Sequence, residues 1–363
     1  MKIAILTQPL ISNYGGVLQN YALQQVLIKL GHTPITLEKD YHQYISHFRL
    51  FIELPKRWMT KYVIRKRKHI FSESCENKRG DKARKILKPF VFNYINHEYI
   101  ISHNSIEIMD YYAFIVGSDQ IWRPMYNYGL LDNMYLSFIP KKSVIKRIAY
   151  AASFGTGEWE YDDEQTKKYS KLIQRFDAVS TREIDGVDLC QKYLGYKDAV
   201  SVLDPTLLLD KTNYLELCSK VISQGNHILF AYILDKNPSI IEFLEEIAKQ
   251  KGLNLKLVSA HADCYLSVEE WLAMFRDAKC VITDSFHGTV FSIIFKKEFY
   301  TIANQSRGGS RFTSLLSQLS LTDRMLDSIS DIAINKNIDW SYVNDKLSCL
   351  KDYSINFLRT NLS

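Results

Sequence analysis

The sequence predicts an α/β protein built from two doubly wound, Rossmann-like domains that face each other across a cleft. Three observations predict it. Short apolar runs alternate with segments of helical spacing along most of the chain. Several of those runs end in a small polar loop, the layout of a ligand crevice at the carboxyl ends of parallel strands. A length of 363 residues suits two domains of ordinary size better than one.

The elements follow in order. Residues 2–7 read as a buried strand, and Asn13, Tyr14, Gly15 and Gly16 as a tight turn. Val17, Leu18, Tyr21, Ala22, Val26, Leu27 and Leu30 recur at helical spacing, and Gly31 stops that helix. Residues 33–37 form the next strand and complete a βαβ opening. The glycine pair makes a sharp turn, or else lets a ligand approach the backbone. It is neither a GxGxxG fingerprint nor a GxxxxGK phosphate loop.

From 39 to 108 the strand–helix rhythm lapses. Residues 56–88 carry 13 lysines and arginines against 3 acids, with Trp58, Tyr62 and Phe71 interspersed. A helical insertion is expected here, either resting on an anionic surface or standing as a solvated face. The rhythm returns with strands at 112–116, 147–153, 177–180 and 200–203. They run into Gly117 to Trp122, into Phe154 and Gly155, into Thr181, Arg182 and Glu183, and into Asp204, Pro205 and Thr206. Helices are expected at 163–176 and 184–194, with a helix and linker at 207–225. A second series has strands at 228–234, 256–258, 280–283 and 299–302, and helices at 238–251, 267–277 and 289–295. A basic loop from Arg307 to Arg311 precedes a helix at 312–319, and a closing helix spans 340–362. The expected domains are 1–209 with an insertion at about 39–108, 210–335, and a closing helix at 336–363.

Net charge is +6, a mild excess that suits an anionic substrate or a membrane surface. The 6 cysteines include no CxxC, which favours reduced thiols and a cytoplasmic protein over a disulfide frame or zinc site. The start, MKIAILTQ, enters a strand at once, and the longest apolar run, Ile228 to Leu234, is too short to span a bilayer. No HExxH, DxD or Ser-His-Asp pattern occurs, so neither a metal nor an acyl-enzyme is expected. No nucleic-acid recognition motif accompanies the basic residues.

The stretch 280–295, CVITDSFHGTVFSIIF, concentrates the chemistry. An apolar strand leads through Asp284, Ser285, Phe286, His287 and Gly288 into a helix whose N-terminus welcomes an anion. His287 there suits proton transfer. The plainer alternative is that Asp284 and Ser285 cap the helix. Arg182, Arg307 and Arg311 are anion handles, and Asp119, Asp204 and Asp284 are acids at strand ends. Such a set points to transfer of an anionic group by acid–base catalysis without a covalent nucleophile.

Seven ordered stretches carry a family likeness: NYGGVLQNYALQQVLIKLGH (13–32), FIVGSDQIW (114–122), YAASFG (150–155), VSTREIDGVDLCQKYLG (179–195), LDPTLLL (203–209), AKCVITDSFHGTVFSIIF (278–295) and SRFTSLLSQLSLTDR (310–324). In these the chain resembles the polysaccharide pyruvyl transferase family, with 39–108 poorly covered. That family is similar in fold to two-domain glycosyltransferases of the GT-B type. The resemblance implies transfer of an enolpyruvyl unit from phosphoenolpyruvate to two hydroxyls of a sugar, giving a cyclic ketal and phosphate. It implies no cofactor beyond phosphoenolpyruvate as co-substrate.

The family's donor site has an arginine at the position of Arg182 and a histidine at that of His287. Many members read Arg-Leu-His there, whereas this chain has Ser285, Phe286 and His287, which leaves the second charge to Arg307 or Arg311. On this reading His287 protonates the donor's methylene carbon and Arg182 holds the phosphate. Asp119 or Asp284 activates the sugar hydroxyl. Ser285 and Gly288, at the helix start, bind the donor anion. Asn13, Tyr14, Gly15, Gly16, Gln19, Ser118, Trp122 and Asp204 line the cleft toward the acceptor. The acceptor is a sugar or lipid-linked oligosaccharide of surface or capsular polysaccharide synthesis, which sets the protein in the cytoplasm with peripheral contact at the inner membrane face. Two other functions suit the fold: a nucleotide-sugar glycosyltransferase or epimerase, and a noncatalytic sugar-binding relative.

Overall fold

A computed structural model describes residues 1–10, 13–39, 58, 72–127, 129–259, 265–302, 308–326 and 337–363. Its first sheet holds β1 (Lys2–Leu6), β2 (Thr33–Lys39), β3 (His97–Ile100), β4 (Ala113–Asp119), β5 (Lys146–Ala152), β6 (Ala178–Thr181) and β7 (Val200–Ser201). Their order is β3-β2-β1-β4-β5-β6-β7. The second holds β8 (Ile228–Tyr232), β9 (Asn254–Val258), β10 (Ala278–Thr283), β11 (Glu298–Ile302) and β12 (Met325–Leu326), in the order β12-β11-β10-β8-β9. Every pairing is parallel. These are the two doubly wound parallel sheets that the alternating pattern predicts. Winding reverses between β1 and β4 and between β8 and β10, and loops at such switch points frame a crevice.

The central strands read as continuous apolar runs because helices cover both faces. All five residues of β8 are buried, as are all seven of β4. Helices α1 (Tyr14–Lys29), α2 (Ser72–Tyr94), α3 (Leu131–Met134), α4 (Asp163–Ile173), α5 (Ile184–Leu194) and α6 (Lys211–Leu217) accompany the first sheet. Helices α7 (Pro238–Lys251), α8 (Val268–Asp277), α9 (Phe286–Ile294) and α10 (Gly309–Gln318) accompany the second, and α11 (Trp340–Leu362) closes the chain.

Two helices are unusual in being buried almost all round. Every described side chain of α1 from Tyr14 to Gln24 is buried, and so is all of α9. A helix of that kind has no solvent face. Both lie where the two sheets meet. Tyr14 stacks on Trp271 with ring centroids 5.1 Å apart, and its hydroxyl donates to the Leu266 carbonyl at 2.8 Å. One apolar core therefore runs from Ile5 and Val17 through Tyr214 to Trp271 and Phe291.

The last helix returns to the first sheet. Leu203 N–H donates to Ser354 Oγ at 3.0 Å, and Leu358 and Leu362 are buried. The region where the rhythm lapses contains an edge strand, β3, whose sequence HEYI is polar and half exposed. The basic run is only partly described: α2 carries its end, whereas Lys56, Arg57 and residues 59–71 lie outside the described residues. Among the described residues no helix is long and apolar enough to cross a membrane.

Candidate active site

Five strand-end loops converge on one buried charge cluster. Arg182 follows β6, its own N–H bonded to Ala152 O at 3.0 Å, so its side chain starts from the rim of the sheet. Its Nη1 donates to Asp204 Oδ2 at 3.0 Å and its Nη2 to Asp119 Oδ1 at 3.1 Å. Asp119 ends β4 with φ 77°, a left-handed conformation that an aspartate tolerates better than most residues. Asp204 opens a one-turn helix (Pro205–Leu208), where its Oδ1 accepts from Thr206 N at 3.0 Å and Thr206 Oγ1 at 2.7 Å. That cap turns its second oxygen toward Arg182 and toward Ser118 Oγ at 3.3 Å.

The second sheet contributes His287. Ser285 caps α9 by accepting from Gly288 N at 3.4 Å, which puts His287 in the first helical turn. Its Nε2 lies 3.6 Å from Asp204 Oδ2, an ion-pair distance just beyond hydrogen-bond reach. The imidazole rests on Gly15: a β-carbon there would stand 2.0 Å from Nδ1. The glycine of the first turn is thus a seat for the histidine of the other sheet. Gly288 serves closeness of another kind, since a β-carbon would stand 2.2 Å from Thr283 Oγ1 and push α9 off β10.

Electrostatics follow from burial and pairing. Burial alone would raise the Asp204 carboxyl, but His287, Arg182 and Thr206 hold it well below the usual carboxylate range. Asp119 is likewise lowered against its burial by Arg182, His287 and Arg311. Arg182 is raised, because the two aspartates outweigh its loss of water. Arg311, from α10, is pushed down to about 10 by burial and by the like charge of Arg182, and is still a cation at neutral pH. Both guanidiniums lie over the Phe286 ring, Arg182 at 4.5 Å and Arg311 at 5.5 Å from its centroid. Glu183 is the counterpoint: burial raises its carboxyl, against the pull of Arg182 and Arg311. One of its oxygens accepts from Ser153 Oγ and Phe154 N, both at 2.9 Å.

Of the residues singled out in the sequence, His287, Arg182, Asp119, Asp204, Ser118, Arg311 and Gly15 come together. Asn13 caps α1 by accepting from Gly15 N at 3.0 Å, with Gly16 beside it. Gln19 donates to Thr7 Oγ1 at 3.3 Å, which donates to Ser118 O at 3.1 Å, a brace beneath the cluster. Three placements differ from expectation. Tyr14 ties the two sheets together. Trp122 is fully buried against the first sheet, stacked on Tyr135, because its indole N–H finds the Met134 carbonyl at 3.1 Å. Asp284 accepts from Leu234 N at 2.6 Å and Asp235 N at 3.0 Å, holding the loop after β8. Arg307 lies outside the described residues. Two cluster members, Phe286 and Glu183, escaped the sequence reading. Each stands next to a residue singled out, Glu183 after Arg182 and Phe286 before His287, which was a usable signal.

Sheet order, switch points and a buried arginine–aspartate–histidine cluster define a two-sheet α/β protein with a charge cluster where its halves meet. The chain belongs to the polysaccharide pyruvyl transferase family, whose model matches residues 13–306. No curated protein matches the sequence. Similar solved structures include UDP-GlcNAc 2-epimerase from Neisseria meningitidis bound to UDP-GlcNAc, at 8% identity and TM-score 0.49, covering 99% of this chain and 94% of that one. Arabidopsis thaliana UGT89C1 complexed with quercetin is similar at 9% identity and TM-score 0.44, covering 99% and 92%. An alpha-glucosyltransferase in complex with UDP and a 13-mer DNA is similar at 11% identity and TM-score 0.44, covering 100% and 95%.

Proposed function

We propose that this protein transfers a pyruvyl group from phosphoenolpyruvate to two hydroxyls of one sugar, forming a cyclic ketal and releasing phosphate during surface polysaccharide synthesis. The observation that carries the reading is His287, brought by one sheet to within 3.6 Å of the Asp204 carboxylate of the other, beside two buried arginines. In this reaction the donor's methylene carbon gains a proton and its C2 becomes electrophilic. The first sugar oxygen bonds to C2, the C2–O bond to phosphate breaks, and the second sugar oxygen takes its place. One hydroxyl proton replaces the one that His287 gave, and the other leaves with phosphate.

Each residue has a part in that scheme. Asp204 faces the imidazole as a counter-charge for its protonated form, and Gly15 seats the ring. Arg182 has one N–H of each Nη on a carboxylate, so it holds the acids in place, and its Nε is buried without a partner among the described residues and is free to meet the donor. Arg311 then supplies the charge that Ser285 does not, a role that fits a guanidinium buried beside the residue preceding His287. Asp119, held as an anion, attends the charge that develops at C2 rather than acting as a strong base.

The test is incubation with phosphoenolpyruvate and candidate sugars, free and lipid-linked, read by mass and by phosphate release. His287→Asn is expected to cut turnover by about two orders of magnitude or more in a folded protein. Arg311→Gln is expected to raise KM for phosphoenolpyruvate more than it lowers kcat. Phosphoenolpyruvate should raise the melting temperature, since a ligand of the native state stabilises it. Stabilisation by a UDP-sugar and none by phosphoenolpyruvate would overturn the reading in favour of a glycosyltransferase.

A further inference from the structure

The edge of the first sheet carries a face that the reaction does not use. On α2, Ala83, Leu87, Phe90 and Val91 are buried, and Phe90 meets Tyr21 of α1 at 5.8 Å. The other side of the helix exposes Lys82, Lys85, Lys88 and Phe92, residues three or four apart and so on one stripe. Phe92 is 73% exposed and meets His97 of β3 at 6.3 Å, and His97 meets Tyr99 at 5.4 Å. Alternation along β3 sends His97 and Tyr99 to one side, and Ile101 follows the end of the strand. Ile101 is 90% exposed. The exposed acid of this strand, Glu98, points the other way and accepts from the Tyr111 hydroxyl at 3.5 Å. A lysine stripe thus runs into a contiguous aromatic and aliphatic patch.

We propose that this face docks on an anionic phospholipid bilayer, lysines at the headgroups and Phe92, Tyr99 and Ile101 at the acyl boundary. Large exposed apolar side chains in contact mark an interaction surface, and basic residues flanking them select a negative one. The placement matters for the crevice. Ile101 follows the C-terminal end of β3, on the same rim as Asp119 at the end of β4. The order β3-β2-β1-β4 sets three strand spacings between them, about 15 Å. A bilayer under this edge would present a lipid-linked acceptor to the charge cluster. That purpose rests on the proposed reaction, whereas the binding does not.

Vesicle flotation of the whole protein tests the binding without any substrate. Vesicles of phosphatidylcholine with phosphatidylglycerol should carry the protein at low salt, and release it as salt shortens the Debye length. Vesicles of phosphatidylcholine alone should not carry it. Replacing Lys82, Lys85 and Lys88 by Gln should weaken partition about a hundredfold. Phe92→Ser with Ile101→Ser should weaken it at least about tenfold. All these residues are exposed, so both variants should melt as the parent does and should turn over a free sugar acceptor at the parental rate. Protein left in the aqueous fraction with anionic vesicles at low salt overturns the proposal, and so does parental binding by both variants. Vesicle binding with no pyruvyl transfer to any acceptor overturns the reaction instead.

Discussion

Gly15 and Gly16 are neighbours in the chain and strangers in space. A β-carbon on Gly15 would stand 2.0 Å from the His287 ring, whereas one on Gly16 would stand 3.6 Å from Asn13, an ordinary contact. Gly15→Ala must therefore move the imidazole. Displacement of a catalytic group by about 1 Å can cost a hundredfold, and turnover should fall by about that much. Gly16→Ala should keep parental turnover, with a melting temperature unchanged or raised, since alanine favours a helix. Equal effects of the two variants on turnover would contradict the placement of His287. Glu183 offers a pH readout. Burial raises its folded pKa above the ordinary 4.5. A raised pKa gives stability that is full below that ordinary value and is lost as pH rises through the folded one. Relative to Glu183→Gln, the parent should lose stability to urea as pH climbs from about 4.5. A difference that stays flat with pH would show that Glu183 is not buried as described. Asp119 and Asp204 act in the opposite sense: their lowered values give stability that is lost only at more acid pH.

Elements differ in how far their sequences announce them. α4 is plain, with Asp162 and Gln165 forming a capping box and a polar outer face. α9 is harder: its helical turn begins at Phe286, not Thr289, because Ser285 caps it, and the shift moves His287 from a loop onto a helix. β3 was missed because HEYI at an open edge has neither alternation nor a continuous apolar run. α11 was read as a helix, yet its site of packing was not readable. Its buried Val343, Leu358 and Leu362 lie in the core shared by both sheets. Each such side chain is worth about 1.5–3 kcal/mol, so removing residues 340–363 should cost roughly 5–9 kcal/mol. That is most of the stability of an ordinary domain. A truncated protein should be insoluble or unfold at much lower urea, and a parental midpoint would contradict the packing.

At the scale of the molecule, the site exists only because two sheets share a core. Tyr14, on the first helix, reaches Trp271 on α8 and Leu266 just before it, and the same helix turn seats His287. Arg182 is held by carboxylates from two other loops of its own sheet, 63 and 22 residues away in the chain. Breaking one arm of such a buried network strands a charge, which is why these groups are legible together or not at all.

Sequence alone determined the alternating α/β build of the two sheets, because strands covered on both faces must be apolar throughout and helices must show their period. It also marked the strand-end loops of Asp119, Arg182, Asp204 and His287, which the structure brings together. Tertiary structure alone decided which of those residues meet. Asp284 and Asp204 look alike in the sequence, each an acid at a strand end. One ended on backbone N–H groups of β8's loop and the other between Arg182 and His287, since the direction of a side chain depends on packing between segments far apart in the chain.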